Sequence, residues 1–168
     1  MPLDTTVKVS VDAVHTTLLD LATATVPLSF ARAVALANGT GLGQADRIFH
    51  DNRTLTASAT EDLDLAGVLV DAFGATLTFA RIKALIVAAD AGNTNNVIVG
   101  GAATNQFLTW VGAATHTVTV RPGGVLLLAA SDATAYVVTA ATGDLLRIAN
   151  SAGGTSVSYS IVLVGASA

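Results

Sequence analysis

Residues 54–65 read Thr-Leu-Thr-Ala-Ser-Ala-Thr-Glu-Asp-Leu-Asp-Leu, and the alternation in this stretch decides the fold class. Leu55, Ala57, Ala59, Leu63 and Leu65 share one parity, broken only by Glu61. Thr54, Thr56, Ser58, Thr60, Asp62 and Asp64 take the other. Successive side chains of a strand point to opposite faces, so a period of two marks a half-buried strand. A run of this length implies one long strand, or two strands around a bend.

The same period spreads outward from this stretch. Val7, Val9 and Val11 alternate with Lys8, Ser10 and Asp12, which predicts a half-buried strand near the start. Residues 26–36 are also read as a strand, although Leu28, Ala31, Ala33 and Leu36 do not separate a period of two from a helical one. Residues 39–44 form a loop, and 46–50 open another extended piece. In residues 77–87, Ile82, Ala84 and Ile86 oppose Arg81 and Lys83, which is read as a strand despite the good helix formers. After Asn93, short apolar stretches at 97–99, 118–120, 125–129, 136–139, 145–149 and 157–164 alternate with turn signals. In Arg121-Pro122-Gly123-Gly124 the proline presets one turn torsion and the glycine supplies a positive φ. Ile161, Val162, Leu163 and Val164 are all apolar, so the end of the last strand is expected to be buried on both faces. Short strands with glycine-marked turns predict an all-β chain. The expectation is a single antiparallel β-sandwich, jelly-roll-like, over residues 38–168, with residues 1–37 an extended strand or arm of the same domain.

Composition sets what such a domain can do. The chain has 168 residues, 52% hydrophobic but only 5% aromatic, with eight basic and twelve acidic side chains. Size scaling gives about 7,700 Å² of folded surface and about 70% of the extended-chain surface buried, enough core to need no staple. The absence of cysteine excludes a disulfide framework, a thiolate metal site and a cysteine nucleophile. Residues 93–168 carry only Arg121, Asp132, Asp144 and Arg147 as charges. Soluble monomers mix many charges over their surface, so a half-chain this neutral is expected to lie in an interface. A net charge of −4, with Lys8 and Lys83 the only lysines, leaves no basic stripe for nucleic acid. The apolar runs at 84–89 and 125–130 are far shorter than the roughly 20 residues a membrane span needs. Met1-Pro2-Leu3-Asp4 opens without the basic and apolar regions of a signal peptide.

No motif for chemistry survives inspection. His15, His50 and His116 are not at metal-ligand spacing. His50-Asp51, as half of a catalytic pair, is weighed against a polar strand end flanked by Arg47 and Arg53, and the strand end is preferred. Gly39-Thr40-Gly41-Leu42-Gly43-Gln44 resembles a dinucleotide loop, yet that fingerprint needs glycine in sixth place opening a helix. Glu61, Asp62 and Asp64 could offer oxygens to Ca²⁺, but no loop signature accompanies them and a solvated strand face is preferred. Neither a G-x-S-x-G elbow nor an S-x-x-K motif occurs. The expectation is a chain that is not an enzyme, with no catalytic residue, metal or cofactor. Phe107 and Trp110 lie close together and suit either a binding hot spot or sandwich-end packing. With Thr117 and Thr119, expected to point outward, they make up the candidate partner-binding set.

Several stretches together resemble a family of structural proteins from tailed-bacteriophage and prophage gene clusters. They are Asn38-Gly-Thr-Gly-Leu-Gly-Gln-Ala-Asp46, Arg53-Thr-Leu-Thr-Ala-Ser58, Glu61-Asp-Leu-Asp-Leu-Ala-Gly67 and Phe73-Gly-Ala-Thr-Leu-Thr-Phe-Ala-Arg-Ile-Lys-Ala84. In the second half Val99-Gly-Gly-Ala-Ala-Thr-Asn105, Arg121-Pro-Gly-Gly-Val125 and Thr142-Gly-Asp-Leu-Leu-Arg147 continue the likeness, which covers roughly residues 38 to 165. The resemblance implies a capsid decoration, or cement, protein on the outside of the virion, made in the host bacterial cytoplasm. Its implied partners are the major capsid protein and further copies of itself, a trimer being favoured and a dimer possible. The family carries no catalytic motif to transfer. The alternative is a tail- or fibre-associated sandwich that binds host surface glycans.

Overall fold

Every regular element among residues 2–168, which the computed structural model describes, is a β-strand. In chain order these are β1 (Thr5–Leu18), β2 (Thr23–Asn38), β3 (Gln44–Ala45), β4 (Arg47–Leu55), β5 (Thr60–Asp64) and β6 (Arg81–Ala89). There follow β7 (Val97–Gly100), β8 (Thr117–Val120), β9 (Val125–Ala129), β10 (Tyr136–Val137), β11 (Leu145–Asn150) and β12 (Val157–Ala166). The alternating run at 54–65 is two strands around a bend. Thr56 to Ala59 turn the chain, with Ser58 at φ +57° and its N–H on the Ala152 carbonyl at 2.9 Å. The strand expected over 77–87 begins at Arg81 instead. Leu77 and Phe79 are nonetheless core residues, so their apolar spacing reported burial rather than strand geometry.

The body is a sandwich-like all-β domain. One sheet has the order β10-β6-β12-β4, with β9 also pairing along β6; the other has the order β5-β11-β7-β8. Their facing sides form one core: Phe49, Leu85, Val87, Ile161 and Leu163 from the first meet Leu63, Val97, Val99, Val120, Leu146 and Ile148 from the second. Each such side chain contributes about 1.5–3 kcal/mol on burial. The expected turn at 121–124 forms, Gly124 N–H donating to the Arg121 carbonyl at 2.7 Å with Gly123 at φ +72°. It does not close a hairpin, because β8 pairs with β7 and β9 with β6. The turn passes the chain from one sheet to the other.

β12 lies between β4 and β6, antiparallel to both. Leu163 faces the main core, while Val164 packs on the other side with Val7, Leu36, Ala45 and Ala84. This accounts for the unbroken apolar run expected from the sequence. The β6–β12 register slips from Val164↔Ala84 to Gly165↔Ile82, so Lys83 is the extra residue of a β-bulge.

The first two strands stand outside the sandwich. They pair along their whole length, from Thr5↔Leu36 to Leu18↔Thr23, and the strand pairing of β2 with the body is a short parallel one with β3. At about 3.4 Å per residue the part beyond Val7 reaches about 35 Å. The strand through Val7, Val9 and Val11 was expected to be half-buried, but only Val7 is, at 7% exposure against 39% and 49%. The arm also shows in the total surface of 8982 Å², about 1,300 Å² above the ~7,700 Å² that size scaling gives.

Gly165 permits the closest approach in the bulge. A Cβ there would sit 2.3 Å from the Arg81 carbonyl oxygen and 2.7 Å from Phe79 Cδ1. Gly165→Ala is expected to cost about 3 kcal/mol, at the upper end of overpacking effects. Urea unfolding followed by circular dichroism checks it.

Candidate functional site

In an antiparallel pair, directly opposed residues share a face. The register therefore gives the arm two unlike sides. One carries Val9, Val11, Ala13, Val26, Leu28 and Phe30, with Arg32 its one formal charge beyond the base and His15 and Thr17 toward the tip. The other is mostly polar, with Lys8, Ser10, Asp12, Thr16, Thr25 and Ser29 beside Val14 and Leu18; the Ser29 hydroxyl donates to Asp12 at 2.7 Å. The apolar side is continuous with Val7, Val34 and Leu36, which pack onto the body. Among the described residues, sixteen large apolar side chains are exposed and nine of them lie in residues 9–30. The arm is thus where the chain leaves its apolar surface uncovered. At the tip Leu18, Leu19 and Leu21 are 83%, 53% and 99% exposed.

A second uncovered surface lies beside the base of the arm. The outward side of the five-stranded sheet is laid out by register as Ile48, His50 and Asn52 on β4, then Val164, Val162 and Ser160 on β12. Ala84, Ile86 and Ala88 on β6 and Ala129, Leu127 and Val125 on β9 complete it. None of these twelve residues is Asp, Glu, Lys or Arg. The hairpin base covers Ala84 and Val164, whereas Ile86, Leu127 and Val162 are half-buried and Val125 is 62% exposed. A sheet face turned to water is ordinarily polar; this one is polar at one end, with His50, Asn52 and Ser160, and apolar at its other nine positions.

The polar groups, by contrast, are committed to structure. Glu61, which broke the alternation, lies on the inward parity at the sandwich edge. It accepts from Arg53 Nη1 at 2.6 Å and from the Tyr159 hydroxyl, linking the two sheets. Burial, reinforced by Glu61, pushes the Tyr159 phenol well above its ordinary range. Asp62 makes a two-point pair with Arg147 at 2.8 Å, directly across β5–β11. Burial opposes the Arg53 charge and Glu61 outweighs it, holding that guanidinium above its usual value. Lys83, fully buried in the bulge, donates to the carbonyls of Gly41, at 3.3 Å, and Asp132. Desolvation lowers its pKa, against the pull of Asp132. These bonds clamp the 39–43 loop at the foot of the arm. Asn150, also buried, donates to Thr56 at 3.0 Å and Thr155 at 2.8 Å and accepts from Asn95 at 2.9 Å.

His50 and Asp51 are consecutive on β4, so they point to opposite faces and cannot act together; Asp51 pairs with Arg53 at 3.1 Å. No cluster of three His, Asp or Glu suited to a metal occurs among the described residues. A cleft of about 500 Å³ is lined by Leu3, Asp46, Ile48, His50, Asp71 and Phe73. Its carboxylates are occupied, Asp46 by Ser167 and Asp71 by the Phe73 and Ala75 N–H groups. No helix is long and apolar enough to cross a membrane.

The four candidate partner-binding residues are divided. Phe107 belongs to the core at 3% exposure. Trp110 is half-buried against that core and donates its indole N–H to the Phe107 carbonyl at 3.0 Å. Thr117 and Thr119 point outward on β8, as expected. Gly100 brings two of them near one another: a Cβ there would lie 3.4 Å from the Trp110 ring and 3.6 Å from Thr117 Cα. The apolar side of the arm was not among the sequence candidates. Its signal is the shared parity of Val26, Leu28, Phe30, Val34 and Leu36, masked by the alanines at 31, 33 and 35. Compared with protein-family models, curated proteins and solved structures, the chain matches none.

Two substitutions test these assignments. The raised phenol pKa makes the Tyr159 contribution complete below about pH 10, where the unfolded phenol is neutral, and lost as pH rises above it. Tyr159→Phe is expected to lose about 1 kcal/mol at neutral pH. It should also remove up to ~1.4 kcal/mol per pH unit from the decline above pH 10, read by urea titrations from pH 7 to 11. Lys83→Met is expected to speed hydrogen exchange about tenfold at the Ala37 and Gly43 amides, which bond to Gly43 and Ser131.

Proposed function

We propose that this chain is a non-enzymatic structural protein of a tailed-bacteriophage virion. In this reading it is a decoration protein that binds the outside of the major capsid lattice and stabilises it. The observation that carries the reading is the exposed arm, apolar along one side and at its tip, on a body whose polar groups are taken up by structure. A protein whose work is adhesion needs uncovered complementary surface rather than convergent reactive groups. The likeness of the stretches between residues 38 and 165 to virion structural proteins supplies the context. A few contacts per copy suffice, since a lattice multiplies weak binding through effective concentration. The major capsid protein and further copies of this chain are the partners; nucleic acid, membrane and cofactors have no part. The glycan-binding alternative needs an open aromatic platform, and Phe107 and Trp110 turn inward to the core.

Counting copies of the chain against the major coat protein in purified particles tests the reading. A ratio near one, or a simple fraction set by lattice symmetry, is expected. Particles stripped of the chain should release DNA at lower temperature. A handful of copies per particle would place it in the tail, and absence from particles would overturn the proposal.

A further inference from the structure

We propose that the apolar side of the β1–β2 arm docks on the outward side of the five-stranded sheet of a second copy of this chain. The inference rests on surface and reach, and holds whether or not the chain belongs to a virion.

The chain already makes a contact of this kind with itself. At the base of the arm Val7, Val34 and Leu36 pack on Ala84, Val164 and the edges of Ile48, Leu127 and Val162. The same side of the arm continues through Val9, Val11, Leu28 and Phe30 into solvent, and the same sheet face continues through Ile86, Leu127 and Val125. Each is the unfinished half of an interface whose other half is present in the molecule. The arm does not fold back on its own sheet: its strands stay paired in register to the tip, and Val9, Val11, Leu28 and Phe30 remain exposed. A neighbour's arm can fill that sheet.

Dimensions agree. The free part of the arm is about 35 Å long, close to the ~36 Å diameter of a body of this size. One side of a two-stranded ribbon that long offers about 350 Å², and the uncovered part of the sheet offers about 300 Å². Two reciprocal contacts would bury roughly 1,300 Å², within the range of stable specific interfaces. Chemistry agrees as well. The sheet face carries no formal charge, and on the apolar side of the free arm Arg32, opposite Val9, is the one ion such a contact has to leave at its edge.

Light scattering on the purified full chain tests this, with Phe30→Asp on the arm and Val125→Asp on the sheet as variants. Both side chains are exposed in the single chain, at 53% and 62%, so folding should survive, checked by circular dichroism and melting. The wild type is expected at twice or more the 16.8 kDa chain mass at about 100 µM, and each variant at the single-chain mass. Mixing the two variants should restore association in part, since one of the two reciprocal contacts then joins an intact arm to an intact sheet. A wild type that stays monomeric, or gains mass only when coat protein is added, would overturn the proposal. So would dissociation by only one of the two substitutions, which would mean arm on arm or sheet on sheet.

Discussion

The five-stranded sheet is apolar on its inward face and over most of its outward one, and apolar sheet surface must be covered to be stable in water. The four-stranded sheet covers one side with Leu63, Leu146, Ile148 and the valines at 97, 99 and 120. On the other side the chain supplies only the hairpin base, through Val7, Val34 and Leu36. Most of the remaining architecture follows from this shortfall. The bulge at Lys83 and the bare backbone of Gly165 shape the sheet where the hairpin lands. The loop at 39–43 is tied down by Lys83 so that the hairpin leaves at a fixed place.

Charges in this chain serve as fasteners. Glu61 draws Arg53 and Tyr159 together across the two sheets, Arg147 and Asp62 bind neighbouring strands, and Asn150 ties the bend after β4 to the turn before β12. A small domain with few aromatic residues gains rigidity from such links, because each fixes segments far apart in the chain. Using polar groups in this way also leaves little for the surface. A sparse coat of charge and an uncovered apolar arm are two views of one allocation of residues.

Much of the body was legible in the sequence. Alternation around residues 54–65, the run from Ile161 to Val164 and the turn at Pro122-Gly123 report local geometry that a period or a torsion dictates, and all three appear as read. Glu61 was visible as an interruption but not as a link, since Arg53 lies eight residues away and Tyr159 ninety-eight. The bulge was invisible for a similar reason: a register slip between β6 and β12 depends on Phe79 and Arg81 crowding a glycine more than eighty residues later. Exposure of the arm was hidden for the opposite reason. Alternating valines look alike whether a strand's apolar side meets its own core or waits for another molecule. Of the four candidate partner residues, the threonines on β8 faced outward because period two governs them, whereas Phe107 and Trp110 were drawn inward by core packing that spacing does not encode.

The central place of β12 bears on how the molecule comes into being. It stands between β4 and β6, yet it follows every other strand in the chain. A nascent chain therefore holds β4 and β6 with a gap between them, and the five-stranded sheet cannot close until translation has passed residue 166. The arm, whose two strands are separated by four residues, can zip long before that. During synthesis the sticky ribbon is ready first and its landing surface last.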